Sequence, residues 1–221
     1  DALVATTGYT SRELYALREA RGETHAADFL TVGSMGHALS IAQGVALAQP
    51  HRVVWCIDGD GACLMHMGAV ACAPALGLAN LRHVLLNNAA HESVGAQATA
   101  SSQPPHGGRL DFAAVAAAAG YAGVGRAATA AELRAGLQGL AKVRAGRGEG
   151  GPSAARSRSS CSRSARSGPR FLEVRTRLGT RDGLGRPRRS TADAKSAYMR
   201  HLGVEPQGGK HGAAAPSLPT V

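Results

Sequence analysis

Asp60 stands between Gly59 and Gly61 in "CIDGDGACLM", and the apolar run that follows, "LRHVLLNN", closes on Asn87 and Asn88. Glycines beside an aspartate let backbone N–H groups come close to an anion, and a helix N-terminus just beyond the turn favours that anion. A carboxylate in the same place repels it unless a divalent cation lies between. Asp60 therefore suits Mg²⁺ bridging it to a diphosphate, with Asn88 and a nearby backbone carbonyl adding neutral oxygens. Such an all-oxygen set favours magnesium over zinc. The same residues also fit two plain turns, Asp60 capping a helix and the asparagines capping the turn after a strand. A calcium loop at "DGDGA" fails, because Leu64, Met65 and Met67 beyond it offer no side-chain oxygen.

Motifs of this kind work only at the ends of rigid elements. Leu3 to Ala5 reads as a short strand, and "TTGYTSREL" as a glycine turn opening a helix through a Thr10/Glu13 capping box, with a stop near Gly22. Residues 29–48 read as a short strand, a Gly-rich turn and a helix of small residues. "RVVWCI", 52–57, and "RHVLLN" are apolar throughout, as strands covered on both faces should be. Residues 63–76 form a helix pattern stopped by Gly77, 111–119 and 129–143 two more, the last opening on a Thr129/Glu132 box, and "RFLEVRT" a final strand. Strands alternating with helices predict an α/β fold: a doubly wound, mostly parallel sheet with helices on both faces. Ligands in such sheets bind at the carboxyl ends of strands, where both glycine turns fall.

At 221 residues one domain with a real core is sufficient, and with 4% aromatic residues that core must be built from small side chains. The net charge of +10 is concentrated in Arg144 to Arg170, seven Arg against Glu149, and Arg181 to Arg189, four Arg against Asp182. Concentrated charge of this kind weakens a general nucleic-acid or membrane reading and leaves an anionic small molecule. Cys56, Cys63, Cys72 and Cys161 show no CxxC pair, which predicts reduced, buried thiols in place of disulfides or a zinc site. No apolar run reaches membrane length and no charged-then-apolar leader opens the chain, so a cytoplasmic location is expected. The first residue is Asp1 and not methionine, which leaves room for a leader or an upstream domain. Residues 144–169, rich in Arg, Ser and Gly, predict a disordered insertion within a domain spanning 1–203, and 204–221 a disordered tail.

Gly-Asp-Gly followed some 25 residues later by Asn-Asn resembles the diphosphate-binding motif of thiamine diphosphate enzymes. "TTGYTSRELYALREARGE", "DFLTVGSMGHALSIAQGVALA", "CIDGDGACLMHMG", "LNNAAHESVGAQ" and "FLEVRTRLGTRDGLGRP" together resemble the cofactor-diphosphate domain of phosphonopyruvate decarboxylases, with the sulfopyruvate decarboxylase β subunit a near relative. The likeness runs from Asp1 to about Gly203 and skips the Arg/Ser stretch. It implies thiamine diphosphate and Mg²⁺ as cofactors, with Asp60, Asn88 and the Ala90 carbonyl as metal ligands and Gly59, Gly61 and Ala62 at the diphosphate. It also implies that "GSMG", Gly33, Ser34, Met35 and Gly36, meets the aminopyrimidine, Met35 being the wedge that keeps the cofactor bent. His37, His91 and Ser93 are candidates for substrate contact or proton relay, and Arg181, Arg186 and Arg188 for attracting an acidic group.

The family's activating glutamate comes from a separate pyrimidine-binding domain that nothing in these residues resembles. The implied activity, phosphonopyruvate to phosphonoacetaldehyde and CO₂, would then need a pyrimidine-binding domain or α subunit, in a homo- or hetero-oligomer. Tyr9 stands where the family pattern has lysine and Ala89 where glycine is commoner, and the glycine and proline expected near Ala96 and Ala98 are absent; a positive φ at Ala89 would cost about 1 kcal/mol. The contrasting class is a non-catalytic protein using its Arg/Ser segment for RNA or protein partners.

Overall fold

The fold is described from a computed structural model, over residues 1–102, 110–142 and 167–206. Six strands, β1 (Ala2–Ala5), β2 (Asp28–Leu30), β3 (Val54–Gly59), β4 (Leu81–Asn87), β7 (Gly123–Ala127) and β8 (Arg170–Arg175), form one parallel sheet in the order β2-β1-β3-β4-β8-β7. A two-residue hairpin, β5 (Ala90–His91) with β6 (Gln97–Ala98), stands apart. The central strands β3 and β4 read as near-continuous apolar runs because helices cover both faces. On one face Val4, Cys56, Leu85 and Phe171 pack against α2 (Ala38–Ala48), α4 (Gly68–Ala75) and α5 (Phe112–Ala119). On the other, Val84, Leu172 and Val174 meet Leu133, Leu137 and Leu140 of α6 (Ala130–Lys142).

Thr129 and Glu132 form the predicted capping box of α6, each side chain accepting the other's backbone N–H, at 3.2 and 3.1 Å. The Thr10/Glu13 box does not form. Helix α1 (Tyr9–Arg21) begins two residues earlier, with Gly8 at its N-cap in a conformation with φ 97° and no side-chain cap. The helix predicted over 63–76 is two, α3 (Asp60–Met65) and α4, separated where His66 leaves helical geometry. Besides the β5–β6 hairpin, two elements go beyond the sequence reading. Strand β7 is glycine-rich and pairs only with β8, so it needs little apolar patterning. Helix α7 (Thr191–His201) is capped by Ser190, whose hydroxyl accepts the Asp193 N–H at 3.1 Å, and it buries Tyr198 against Phe29.

Most of the predicted insertion and tail lies outside the described residues. The described end of the insertion is packed: Gly168 and Pro169 are buried, and the Pro169 carbonyl accepts the Ala122 N–H at 2.9 Å. Cys56 and Cys63 are buried free thiols as expected, whereas Cys72 is exposed, on the outer side of α4. No helix among the described residues is long and apolar enough to cross a membrane.

Candidate functional site

From β1 the chain crosses by α1 to β2 on one side of the sheet and then returns to place β3 on the other. Loops leaving β1 and β3 diverge at such a reversal, and the crevice between them is where open α/β sheets bind ligands. A cleft of about 490 Å³ lies there. Its walls come from the segments after four strands: Thr6 to Thr10 after β1, Gly59 to Ala62 after β3, Asn88 to Val94 after β4, and Thr176 to Arg181 after β8.

Asp60 is the first residue of α3 and only 3% exposed. Its Oδ2 accepts a 2.8 Å hydrogen bond from Thr99 Oγ1, and Ser101 Oγ lies 3.5 Å away. Burial raises the Asp60 carboxyl above its ordinary value, and the Thr99 hydrogen bond only partly opposes this. A buried carboxylate held by hydroxyl and backbone N–H groups, with no ion pair among the described residues, is a strong acceptor for a cation.

The turn after β4 is locked by its own asparagines. Asn87 Oδ1 accepts the Ala89 N–H at 3.0 Å and Asn88 Oδ1 accepts the Ala90 N–H at 3.1 Å. These two side-chain turns hold Ala89 at φ 61°, the left-handed conformation expected where the family pattern has glycine; Ala96 follows at φ 57°. Asn87 also donates to the buried Glu173 at 2.8 Å and accepts from Ser101 at 3.0 Å. Asn88 Nδ2 donates to Glu92 Oε2 at 2.6 Å, and the other Glu92 oxygen accepts the Gly179 N–H. Glu92 thereby fixes the Asn88 amide, oxygen side free of it, and ties the β4 loop to the β8 loop.

Gly61 is required by contact. A Cβ there would stand 2.5 Å from His91 Nδ1, so the imidazole lies directly on the turn. Gly36 is similar: at φ 93°, a Cβ would meet the His66 ring and, at 2.8 Å, the Ala62 carbonyl. This packs the "GSMG" loop against α3.

Of the residues singled out in the sequence, Met35, Gly59, Asp60, Gly61, Ala62, Asn88, Ala90, His91 and Ser93 all line the one cleft. Gly33, Ser34, Gly36 and His37 do not. Ser34 lines a smaller cavity of about 240 Å³ beside Tyr15, Phe29 and Lys195, and His37 packs against His66 with ring centres 4.0 Å apart and planes tilted by 51°. Among the arginines, Arg181 reaches the cleft and Arg186 and Arg188 do not; Arg177 joins it unforeseen. Thr99, Ser101, Glu92 and Glu173 also lay outside the sequence reading. Only the alternation of hydroxyls in "QATASS" marks Thr99 and Ser101, and it becomes meaningful once the hairpin folds them back over Asp60.

The chain matches the family described as thiamine pyrophosphate enzyme, C-terminal TPP binding domain, over residues 6–153. It is 34% identical over 207 residues to a phosphonopyruvate decarboxylase of Streptomyces viridochromogenes, covering 94% of this chain and 43% of that protein. It is 37% identical over 121 residues to the sulfopyruvate decarboxylase subunit beta of Methanothermobacter thermautotrophicus, covering 55% of this chain and 59% of that one. An X-ray structure from Mycobacterium smegmatis, assigned to the thiamin diphosphate-dependent enzymes, superposes with a TM-score of 0.53 at 23% identity, over 80% of this chain and 29% of that one. The chain thus spans less than half the length of the phosphonopyruvate decarboxylase it matches. With its parallel sheet, its cleft at the strand reversal and this match, the chain belongs to the thiamine pyrophosphate enzymes, as their C-terminal cofactor-binding domain.

Proposed function

We propose that the chain is the part of a thiamine-diphosphate-dependent 2-oxoacid decarboxylase that holds the cofactor's diphosphate and its Mg²⁺, and that the substrate is phosphonopyruvate, converted to phosphonoacetaldehyde and CO₂. The observation that carries this reading is the buried Asp60 carboxylate, which makes no ion pair among the described residues and lines a cleft with Asn88 and Ala90. Asp60, Asn88 Oδ1 and the Ala90 carbonyl form an all-oxygen donor set for magnesium. The N–H groups of Gly61 and Ala62, in the first turn of α3, would hold the diphosphate, the Gly61 N–H being shared with the Asp60 carboxylate. Gly59 contributes shape only, because its N–H is donated to Asp58 Oδ1 at 2.9 Å.

Thiamine diphosphate supplies, when bound, the nucleophile for the keto carbon and the sink for the electron pair that CO₂ leaves behind. The chain's own residues bind and orient. Met35 props the cofactor from the "GSMG" side. Arg177 and Arg181, on the wall formed after β8, take the substrate's phosphonate, for which a guanidinium offers paired donors. His91, against Gly61, and Ser93, near Gly8, line the same cleft, where they contact the keto acid or move a proton. The glutamate that activates the pyrimidine ring comes from a pyrimidine-binding domain elsewhere in the assembly, in the same polypeptide or in an α subunit. The match to a sulfopyruvate decarboxylase subunit supports a sulfonate as the second substrate reading.

Calorimetric titration with thiamine diphosphate tests the first half: binding should require Mg²⁺ and disappear in Asp60→Ala. Absence of binding, even beside a supplied pyrimidine-domain partner, overturns it. With that partner present, CO₂ release from phosphonopyruvate should exceed that from sulfopyruvate, and the reverse preference overturns the phosphonate assignment.

A further inference from the structure

Directly beneath the Asp60 turn, on the sheet face covered by α2, α4 and α5, three side chains of unlike chemistry converge. Cys56 and Asp58 lie two residues apart on β3, and His83 on β4 is the register partner of Cys56. All three are buried, and one ligand atom from each, the thiol sulfur, a carboxylate oxygen and an imidazole nitrogen, lies within 4.8 Å of the other two. Asp58 and His83 each have one polar atom occupied. Asp58 Oδ1 accepts the Gly59 N–H at 2.9 Å, and His83 Nδ1 lies 3.2 Å from the Tyr121 hydroxyl. The remaining atoms, Asp58 Oδ2 and His83 Nε2, have no hydrogen-bond partner and face each other at 3.6 Å. That separation is too long for a hydrogen bond. It is close to the roughly 3.4 Å between nitrogen and oxygen ligands of a tetrahedral zinc ion.

We propose that Cys56, Asp58 and His83 form a buried structural site for a borderline transition-metal ion, zinc in the first instance, distinct from the magnesium site in the cleft above. Sulfur, imidazole and carboxylate together select zinc-like ions over magnesium. The charges also balance: binding sends the Cys56 thiol proton to solvent, and thiolate, carboxylate and neutral imidazole then carry two negative charges against the ion's two positive ones. A neutral buried cluster avoids the penalty that a lone ionised Asp58 would suffer. Tyr121 and the Gly59 N–H orient the ligands from behind, as outer-shell groups do in zinc sites. Cys63, buried in α3, lies beside the cluster, its thiol raised by burial and by the charge of Asp58. Through Asp58 and Gly59 the ion would pin β3, β4 and the cofactor turn together.

The site is closed to solvent, so the 221-residue chain is unfolded with chelator and refolded with Co²⁺. The expected result is about one equivalent of cobalt per chain, with tetrahedral d–d bands and a thiolate-to-cobalt charge-transfer band. Cys56→Ser should abolish the charge-transfer band, and His83→Asn should weaken binding by roughly tenfold or more. Asp60→Asn should leave both bands intact, separating this site from the magnesium site. Refolded protein without the charge-transfer band, or a band that survives Cys56→Ser, overturns the proposal. Should the Cys56 variant not fold, X-ray absorption on zinc-loaded wild type decides: one sulfur at about 2.3 Å supports the site, and a shell of nitrogen and oxygen alone refutes it.

Discussion

Thr99 Oγ1 donates a 2.8 Å hydrogen bond to Oδ2 of Asp60, joining the segment after the β5–β6 hairpin to the turn that ends β3. Both residues are buried, and Thr99 is in turn 2.9 Å from Ser101, which donates to Asn87. The carboxylate that faces the cleft and the asparagine turn opposite it are therefore positioned by one chain of hydroxyls.

Thr99→Val keeps the shape and removes the donor. Taking the shorter of two hydroxyl donors from a buried carboxylate oxygen, with Ser101 left at 3.5 Å, costs about 1–3 kcal/mol. Urea denaturation should show this loss, and the Mg²⁺-dependent affinity for thiamine diphosphate should fall with it, while Thr99→Ser retains both. An unchanged urea midpoint in Thr99→Val would show that the bond contributes nothing.

Asp60 gives a pH prediction. Because burial raises its pKa, the native chain holds the proton more tightly than the unfolded chain does. Its contribution is thus fully present in acid and is lost as pH rises above the ordinary value of 3.8 through the raised native one. Without metal, Asp60→Asn should be more stable than wild type at neutral pH and equal to it in acid. Added Mg²⁺ should narrow the gap by stabilising wild type alone. Thermal melts of the two proteins across pH, with and without Mg²⁺, check both statements.

Gly61→Ala places a methyl group 2.5 Å from the His91 ring nitrogen. Since an imidazole can swing away, the fold should survive and the cleft should not. Cofactor affinity is expected to drop by roughly tenfold, about 1.4 kcal/mol. In the double variant Gly61→Ala/His91→Ala the stability lost by the single glycine change should return, which is measured as a coupling energy in a double-mutant cycle.

Ala89 sits at φ 61° and Ala96 at φ 57°, conformations that glycine adopts without a Cβ penalty. Ala89→Gly should raise stability by about 1 kcal/mol, or roughly 2–4 °C in melting temperature for a chain of this size. A lower melting temperature would mean that the side-chain turns of Asn87 and Asn88 already relieve the strain.

The main elements and the cleft's chemical core were legible because they rest on local signals. Apolar runs marked β3, β4 and β8, the Thr129/Glu132 box marked the start of α6, and glycines around Asp60 marked the turn. What was hidden depends on partners distant in sequence. Strand β7 has almost no apolar pattern and exists because β8 pairs with it. The Thr10/Glu13 box was a valid local signal overruled by the turn at Gly8, which starts α1 early. Thr99 and Glu92 look like ordinary loop polarity until the hairpin brings one to Asp60 and the other between Asn88 and Gly179. Arg177 and Arg181 were separable from Arg186 and Arg188 only by the path of the chain after β8.

The place of β8 bears on how the chain folds as it is made. It lies between β4 and β7 in the sheet, yet among the described strands it comes last in the chain. Until Arg170–Arg175 emerge from the ribosome, β4 has an open apolar edge and β7 has no neighbour to pair with. An unpaired hydrophobic edge is a template for pairing with other chains. The nascent chain is thus most prone to aggregate while the residues between β7 and β8 are being translated, and insertion of one late strand both seals the sheet and completes the fourth wall of the cleft.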